Sequence, residues 1–260
     1  MIDWAHAMTA FAGMLALGLA GWLITLPRNN VNLVDSLWSL FFLAGALIYA
    51  FSLETLTQRA ALVLILVALW ALRLSFHLLL RNWGKPEDHR YQAIRRNNSP
   101  GFAWKSLFIV FGLQAVLAGA IVLPLFAAIG AATPLSSLDY LGALLLLTGL
   151  GFEALADWQL ARFKADPANR GQVMDRGLWR YSRHPNYFGE ACVWWGFWLI
   201  ALASGAAWSI LSPLLMTFLL LRVSGVALLE KDIAERRPAY RDYIARTSAF
   251  MPWLPRREAP

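Results

Sequence analysis

The chain of 260 residues is 58% hydrophobic and only 15% charged, with 13 Trp and one Cys, whereas soluble domains carry roughly 25% charged residues. That composition, with a mean hydropathy of +0.50, excludes a water-soluble globular protein and marks an integral membrane protein; the lone Cys192 excludes an intrachain disulfide framework. The net charge of +7 comes with no nucleic-acid-binding motif, so nucleic acid is not an expected partner, and the basic residues answer to membrane topology and anionic lipid.

Crossing a bilayer takes roughly 20 residues of apolar helix. Seven stretches qualify in chain order: Trp4 to Leu26, Leu33 to Leu53, Ala60 to Leu80, Trp104 to Ile129, Leu138 to Leu160, Tyr187 to Leu202 and Ser209 to Leu229. The expected fold is therefore all-α, a polytopic membrane bundle of seven transmembrane helices forming one membrane domain over residues 1–260. The connections after spans one, three and five and the tail hold almost all the basic residues, including Arg28, Arg81, Arg90, Arg95, Arg162, Lys164, Arg170, Lys231, Arg246 and Arg257. The opposite loops carry only Arg59. Since cytoplasmic loops collect Lys and Arg, this parity predicts an outside N-terminus and a cytoplasmic C-terminus. The first span lacks a basic leader and reads as a retained helix rather than a signal peptide. Beyond span seven, residues 229–246 mix charges and aromatics at helical spacing with a break at Pro238, which predicts an amphipathic C-terminal helix lying on the membrane surface or over a cytoplasm-facing cofactor.

An ionisable group inside a span costs about 2.5–3.5 kcal/mol and is a functional candidate by default. Asp35, Arg73, His77, Glu153, Asp157, Glu190 and Arg222 are such groups. Trp70, Arg73 and His77 share a face of span three, Glu153 and Asp157 lie four apart on span five, and Asn186, Glu190 and Trp194 recur every four residues on span six. These stripes predict a polar cavity, the competing expectation being plain interhelical pairing such as Arg73 with Asp157 or Arg222 with Glu190. His6, His77, His89 and His184 make no close ligand pair, so no metal is expected. Neither a Gly-x-Ser-x-Gly elbow nor a strand-borne Gly-x-Gly-x-x-Gly occurs.

At Arg183-His184-Pro185-Asn186-Tyr187-Phe188-Gly189-Glu190 the sequence resembles the steroid 5-alpha-reductase superfamily of NADPH-dependent membrane steroid and sterol reductases, in particular its bacterial DUF1295-type members. The resemblance runs from about Leu138 to Pro252, with weaker matches at 32–38 and 81–85. It implies that a first half, residues 1–130, encloses an apolar substrate cavity and a second half, residues 131–260, holds NADPH. The sister isoprenylcysteine carboxyl methyltransferases, which use S-adenosylmethionine, are similar around Arg183-His184-Pro185; Gly189-Glu190, Asn186 and the series Asp157, Arg162, Lys164 favour the reductases. A phosphorylated dinucleotide also suits a connector rich in Arg, whose planar fork matches phosphate.

The resemblance implies hydride transfer from NADPH to an activated C=C bond in a hydrophobic, steroid-like or isoprenoid-like enone, acting with membrane lipid around it and without an obligate protein partner, in a bacterial cytoplasmic membrane or, in a eukaryote, the endoplasmic reticulum. It implies cofactor contacts from Asp157, Arg162, Lys164, Arg170, Tyr181, Arg183, His184, Asn186, Glu190 and Trp194, with Arg73 and Arg222 lending charge. The carbonyl-polarising group departs from the family pattern. Asp35 stands where a Gln-Glu pair is expected, Trp70 stands where span three should carry Tyr, and His77 on the same face is the substitute expected for the missing phenol. Asp35, Trp70 and His77 are the expected catalytic residues.

Overall fold

In a computed structural model, the described residues are 2–223, 225–230 and 233–256; Lys231 and Arg257, counted above in the basic tail, lie outside them. Helix accounts for 75% of the structure, with no strand among the described residues. The helices are α1 (Trp4–Thr25), α2 (Leu33–Phe51), α3 (Gln58–Asn82), α4 (His89–Asn97), α5 (Phe102–Ser106), α6 (Leu113–Ile121), α7 (Leu123–Ile129), α8 (Ser137–Ala165), α9 (Pro185–Ala203), α10 (Leu211–Phe218), α11 (Val226–Glu230), α12 (Ile233–Arg236) and α13 (Tyr240–Arg246). π-helical turns at Leu107–Gly112 and Leu219–Val223 continue α5 into α6 and extend α10.

Six helical segments among the described residues are long and apolar enough to cross a bilayer: α1, α2, α3, Phe102–Ile121, α8 and Ala207–Glu230. The protein is thus a multi-pass integral membrane protein. The fourth crossing ends earlier than its hydropathy predicts. Pro124 has no N–H to give to the turn before it, so the helix stops at Ile121 and α7 restarts as a separate, buried piece packed on α2 and α3. The stretch expected as span six forms a 19-residue helix, α9, but Asn186, Glu190 and three tryptophans dilute its apolarity.

Contacts group the chain into two compact units, Met1–Asp139 with Ala201–Ser209, and Tyr140–Ile200 with Ile210–Pro260. In the first, α2 packs between α1 and α3. Helix α3 shows the sidedness expected in lipid: Val63, Leu66, Val67, Trp70, Ala71 and Leu74 are buried, while Ile65, Leu69, Leu72, Phe76 and Leu80 point outward. Asp3 and Thr57 cap α1 and α3, each side chain accepting from an early helical amide, which satisfies donors that a helix start otherwise leaves orphaned.

Arg59, read from sequence only as a stray outer charge, is 1% exposed. All five of its N–H groups are used. Nε and Nη2 meet the two Asp139 oxygens at 2.7 and 3.0 Å, Nη1 donates to the carbonyl and hydroxyl of Thr133, and Nη2 also reaches the Pro134 carbonyl at 2.8 Å. Asp139 accepts in addition from the amide and hydroxyl of Ser136.

In the second unit, α8 and α9 touch through glycines seven residues apart on each helix. A Cβ on Gly149 would lie 2.6 Å from the Gly189 carbonyl oxygen, and one on Gly142 would lie 2.7 Å from that of Gly196. Only residues without side chains permit two backbones this close. The stripe escapes a sequence reading because its halves sit on different helices.

Removing Arg59 strands a buried carboxylate. Arg59→Leu is expected to cost about 3–5 kcal/mol, and the double change Arg59→Met with Asp139→Leu to restore most of it. Thermal melting of the detergent-solubilised variants measures both, and an unshifted melting point for Arg59→Leu would show that the cluster contributes nothing.

Candidate functional site

Two sets of polar side chains stand out, one in each unit. In the first unit, the loop before α2 and the loop after α3 are stitched together. Asn32 Nδ2 donates to the Pro86 carbonyl at 3.0 Å while its Oδ1 accepts from the Asp88 amide at 2.8 Å. The Val31 amide donates to Glu87 at 3.0 Å, and Glu87 in turn takes a two-pronged pair of bonds from Arg95 at 2.8 and 2.7 Å. Burial acts to raise the Glu87 pKa, and the Arg95 guanidinium and Val31 amide outweigh it, holding the carboxyl below its ordinary range. The two segments weakly matched in sequence, 32–38 and 81–85, are therefore spatial neighbours through these loops.

The stitching delivers α4 to the start of α2. Asp88 caps α4 through the Arg90 amide at 2.9 Å. The next two side chains then face Asp35: the Tyr91 hydroxyl donates to Asp35 Oδ1 at 2.5 Å, and Arg90 Nη2 lies 3.4 Å from Oδ2. Arg81 Nη2 comes within 3.9 Å of the same oxygen. Gln114, from α6, donates to the phenol oxygen at 3.4 Å. Burial, together with the charge and hydrogen bond of Asp35, raises the Tyr91 pKa well above its ordinary value. A phenol thus stands against Asp35 from α4 rather than from α3. Trp70 instead fills the core beside Phe42, with ring centroids 5.7 Å apart, and His77 is half-buried on α3 with Arg73. Tyr91 is a residue that sequence reasoning did not single out; it sits on α4 in the basic connection between the third and fourth crossings, where the charge reads from sequence as topology.

In the second unit, the glycine contact sets α8 beside α9 so that Asn186 Nδ2 donates to Asp157 Oδ1 at 3.2 Å. Glu153, Asp157, Glu190 and Trp194 are all buried. The α8–α9 connector folds back along α8: the Trp179 indole donates to the Ala156 carbonyl at 3.0 Å, and the Leu178 amide to Gln159 Oε1 at 3.0 Å. Between connector and helix lies an open groove of about 390 Å³ lined by Trp158, Arg162, Asn169, Arg176 and the acid Asp166. Arg162 lies over the Trp158 ring, 5.4 Å from its centroid. Lys164, Arg170 and Arg180 are exposed nearby in sequence, and Tyr181 is 39% exposed.

Arg183 and His184 have a different occupation from the expected one. Arg183 Nε and Nη2 clasp Glu230 at 2.7 and 2.8 Å, and Nη1 donates to the carbonyls of Ile244, at 3.1 Å, and Thr247. His184 Nε2 pairs with Glu230 Oε1 at 2.9 Å while its ring stacks on Tyr187. Burial works to lower the Arg183 pKa and the Glu230 carboxylate outweighs it, so the net shift is upward. Tyr243 donates to the Trp179 carbonyl, Ser182 Oγ to the Phe250 carbonyl, and the Arg183 amide to the Ser248 carbonyl. The conspicuous Arg-His pair is a latch that ties α11, α13 and the C-terminal segment to the connector. Arg222 is exposed on its π-helical turn.

Residues 21–247 match a family model described as a protein of unknown function, DUF1295. The chain belongs to the DUF1295 family. This is the steroid 5-alpha-reductase-like family that the sequence resembles, and the DUF1295 match spans both Asp35 and Tyr91. A protein of Schizosaccharomyces pombe described as uncharacterized is 26% identical over 269 residues, covering 92% of this chain and 77% of that protein. No solved structure gives a significant match. DUF1295 membership relates this chain to membrane steroid reductases.

Replacing Glu230 by Gln removes the charge from the latch while keeping its shape. The amides of residues 244–250 are then expected to exchange with deuterium about tenfold faster, corresponding to a loss of roughly 1.4 kcal/mol from a charge-assisted contact. Exchange that stays at the wild-type rate would show that the C-terminal segment is held without Glu230.

Proposed function

We propose that this DUF1295 protein is an NADPH-dependent membrane reductase that saturates the activated C=C bond of a hydrophobic enone of steroid or isoprenoid type, with seven crossings and its basic connections in the cytoplasm. The observation that carries the reading is the phenol of Tyr91 set on the carboxylate of Asp35 at 2.5 Å. Reducing an enone gathers negative charge on its carbonyl oxygen, and a donor fixed beforehand in a site poor in water stabilises that charge most effectively. Tyr91, with its pKa raised by burial and by Asp35, keeps its proton; its single O–H, given to Asp35 at rest, turns to the carbonyl oxygen when the substrate binds and serves as that donor. Asp35, flanked by Arg90 and Arg81, orients the phenol. Trp70 and His77 take the role of walls for the flat substrate.

The residues of the second unit suit a phosphorylated dinucleotide. When bound, NADPH supplies the hydride. Arg162 and Arg176 give guanidinium forks at the groove, Trp158 gives an aromatic face, and Lys164 and Arg170 add charge for phosphate oxygens. A groove of about 390 Å³ lies within the roughly 300–1,000 Å³ of small-molecule sites. Asp157 and Asn186 offer an acceptor and donor pair suited to ribose hydroxyls or a carboxamide, with Glu190, Trp194 and Tyr181 beside them in this assignment. Arg183 and His184 act at one remove, by holding the connector in place through Glu230. Arg73 and Arg222 keep the expected part of adding positive charge.

With purified protein, saturating NADPH is expected to raise the melting point, since a ligand at 100 times its Kd stabilises by about 2.7 kcal/mol. Asn186→Ala should abolish that rise. A rise with S-adenosylmethionine and none with NADPH would overturn the reading in favour of methyl transfer. In an enone-dependent NADPH oxidation assay, Tyr91→Phe is expected to lower kcat by about 10²–10³ while leaving the NADPH-induced melting shift intact. Asp35→Asn should behave alike with a smaller loss, and full activity in Tyr91→Phe would remove the phenol from the chemistry.

A further inference from the structure

We propose that Met251–Leu254 is an interfacial anchor that docks the C-terminal segment onto the lipid headgroup zone. The sequence points to residues 229–246 as the surface-lying element. In the structure the apolar side of α13 is spent on the protein itself: Tyr243 is 1% exposed and its hydroxyl is bonded to the Trp179 carbonyl. The next apolar residues do the opposite. Met251, Trp253 and Leu254 are 60%, 74% and 75% exposed.

These side chains project from a backbone that is fixed. The Trp253 amide donates to the Tyr181 carbonyl at 2.9 Å and the Arg256 amide to the Arg246 carbonyl at 2.9 Å. Just upstream, the Phe250 carbonyl is held by Ser182 Oγ, and the Phe250 ring packs edge-on against Phe188 at 5.9 Å. The segment is therefore ordered while presenting a Trp and two large aliphatic groups outward.

Its depth follows from α8. At 1.5 Å per residue, this 29-residue helix is about 43 Å long, whereas the hydrocarbon core is about 30 Å thick and consumes roughly 20 residues. Counted from Ser137, the core ends near Ala156, the residue whose carbonyl takes the Trp179 indole. Trp253 is bonded to Tyr181, two residues further along the same connector. That level is the membrane–water boundary, where Trp is favoured because its ring is apolar and its N–H polar. Charge agrees with the same occupant. Arg176, Arg180 and Arg256 are exposed on this connector and tail, and basic residues near the surface are drawn to an anionic leaflet. The partner is therefore a bilayer surface containing anionic lipid. The inference stands independently of the reductase reading.

The test uses the full chain in nanodiscs of phosphatidylcholine and phosphatidylglycerol. A nitroxide is attached at Leu254→Cys, with Arg241→Cys on exposed α13 as the aqueous reference, both in a Cys192→Ala background. Collision with oxygen is expected to exceed collision with a water-soluble nickel chelate at 254, and the reverse at 241. Equal nickel access at the two sites would overturn the proposal, as would dipolar coupling between copies at 254, which would assign the patch to a second chain. As an independent measure with native Cys192, Trp253→Ser with Leu254→Ser is expected to speed deuterium exchange of residues 248–256 about tenfold in nanodiscs; an unchanged rate would equally overturn it.

Discussion

A charged side chain below the headgroup level has no water to turn to, and the buried ionic groups whose geometry is described here are each answered from a different segment of the chain. Arg59 is met by Asp139, by the Thr133 hydroxyl and by carbonyls of the turn before α8; Asp35 by Tyr91 and Arg90 of α4; Arg183 by Glu230 and the end of α13. In a medium of low dielectric, an unanswered charge costs more than any single apolar contact returns. The pairs therefore dictate where loops must lie. The α3–α4 loop is pinned to the start of α2 because Asn32 and Glu87 need partners, and the C-terminal segment is pinned to the connector because Arg183 does.

The same requirement separates two jobs that one motif suggests. Arg-His-Pro-Asn-Tyr invites the reading that every polar member touches a ligand. Its first two members instead spend their hydrogen bonds on Glu230 and on carbonyls of the chain, while Asn186 turns to Asp157. Within five residues the partners change from the C-terminal segment to α8. A helix start explains this: Pro185 opens α9, so residues before it lie along the connector and residues after it lie along the helix face toward α8.

Hydropathy made the crossing helices legible, because bilayer thickness imposes a length that few other structures share. It misjudged the end of the fourth, where Pro124 interrupts an unbroken apolar run, and it says little about α9, whose Asn186, Glu190 and tryptophans dilute the signal. Charge counting leaves Arg59 as the one basic residue of the outer loops, and nothing local to it reveals that Asp139, eighty residues on, completes it. Tyr91 was hidden for a related reason. Its contact with Asp35 is created by a distant loop pairing that nothing local to Arg90-Tyr91-Gln92 reveals. The heptad glycines of α8 and α9 look like ordinary small residues on each helix and acquire meaning only when the helices meet.

The Arg59 cluster also constrains biogenesis. Its carboxylate partner lies eighty residues downstream, which at 5–20 residues per second is roughly 4–16 s of synthesis. Throughout that delay the guanidinium has no carboxylate to answer it, and burying it alone would be costly, so the start of α3 is expected to stay hydrated until α8 is made. Only when the ribosome has delivered the beginning of α8 does that corner become dry, and the early helices are locked in register from the far end rather than from their own sequence.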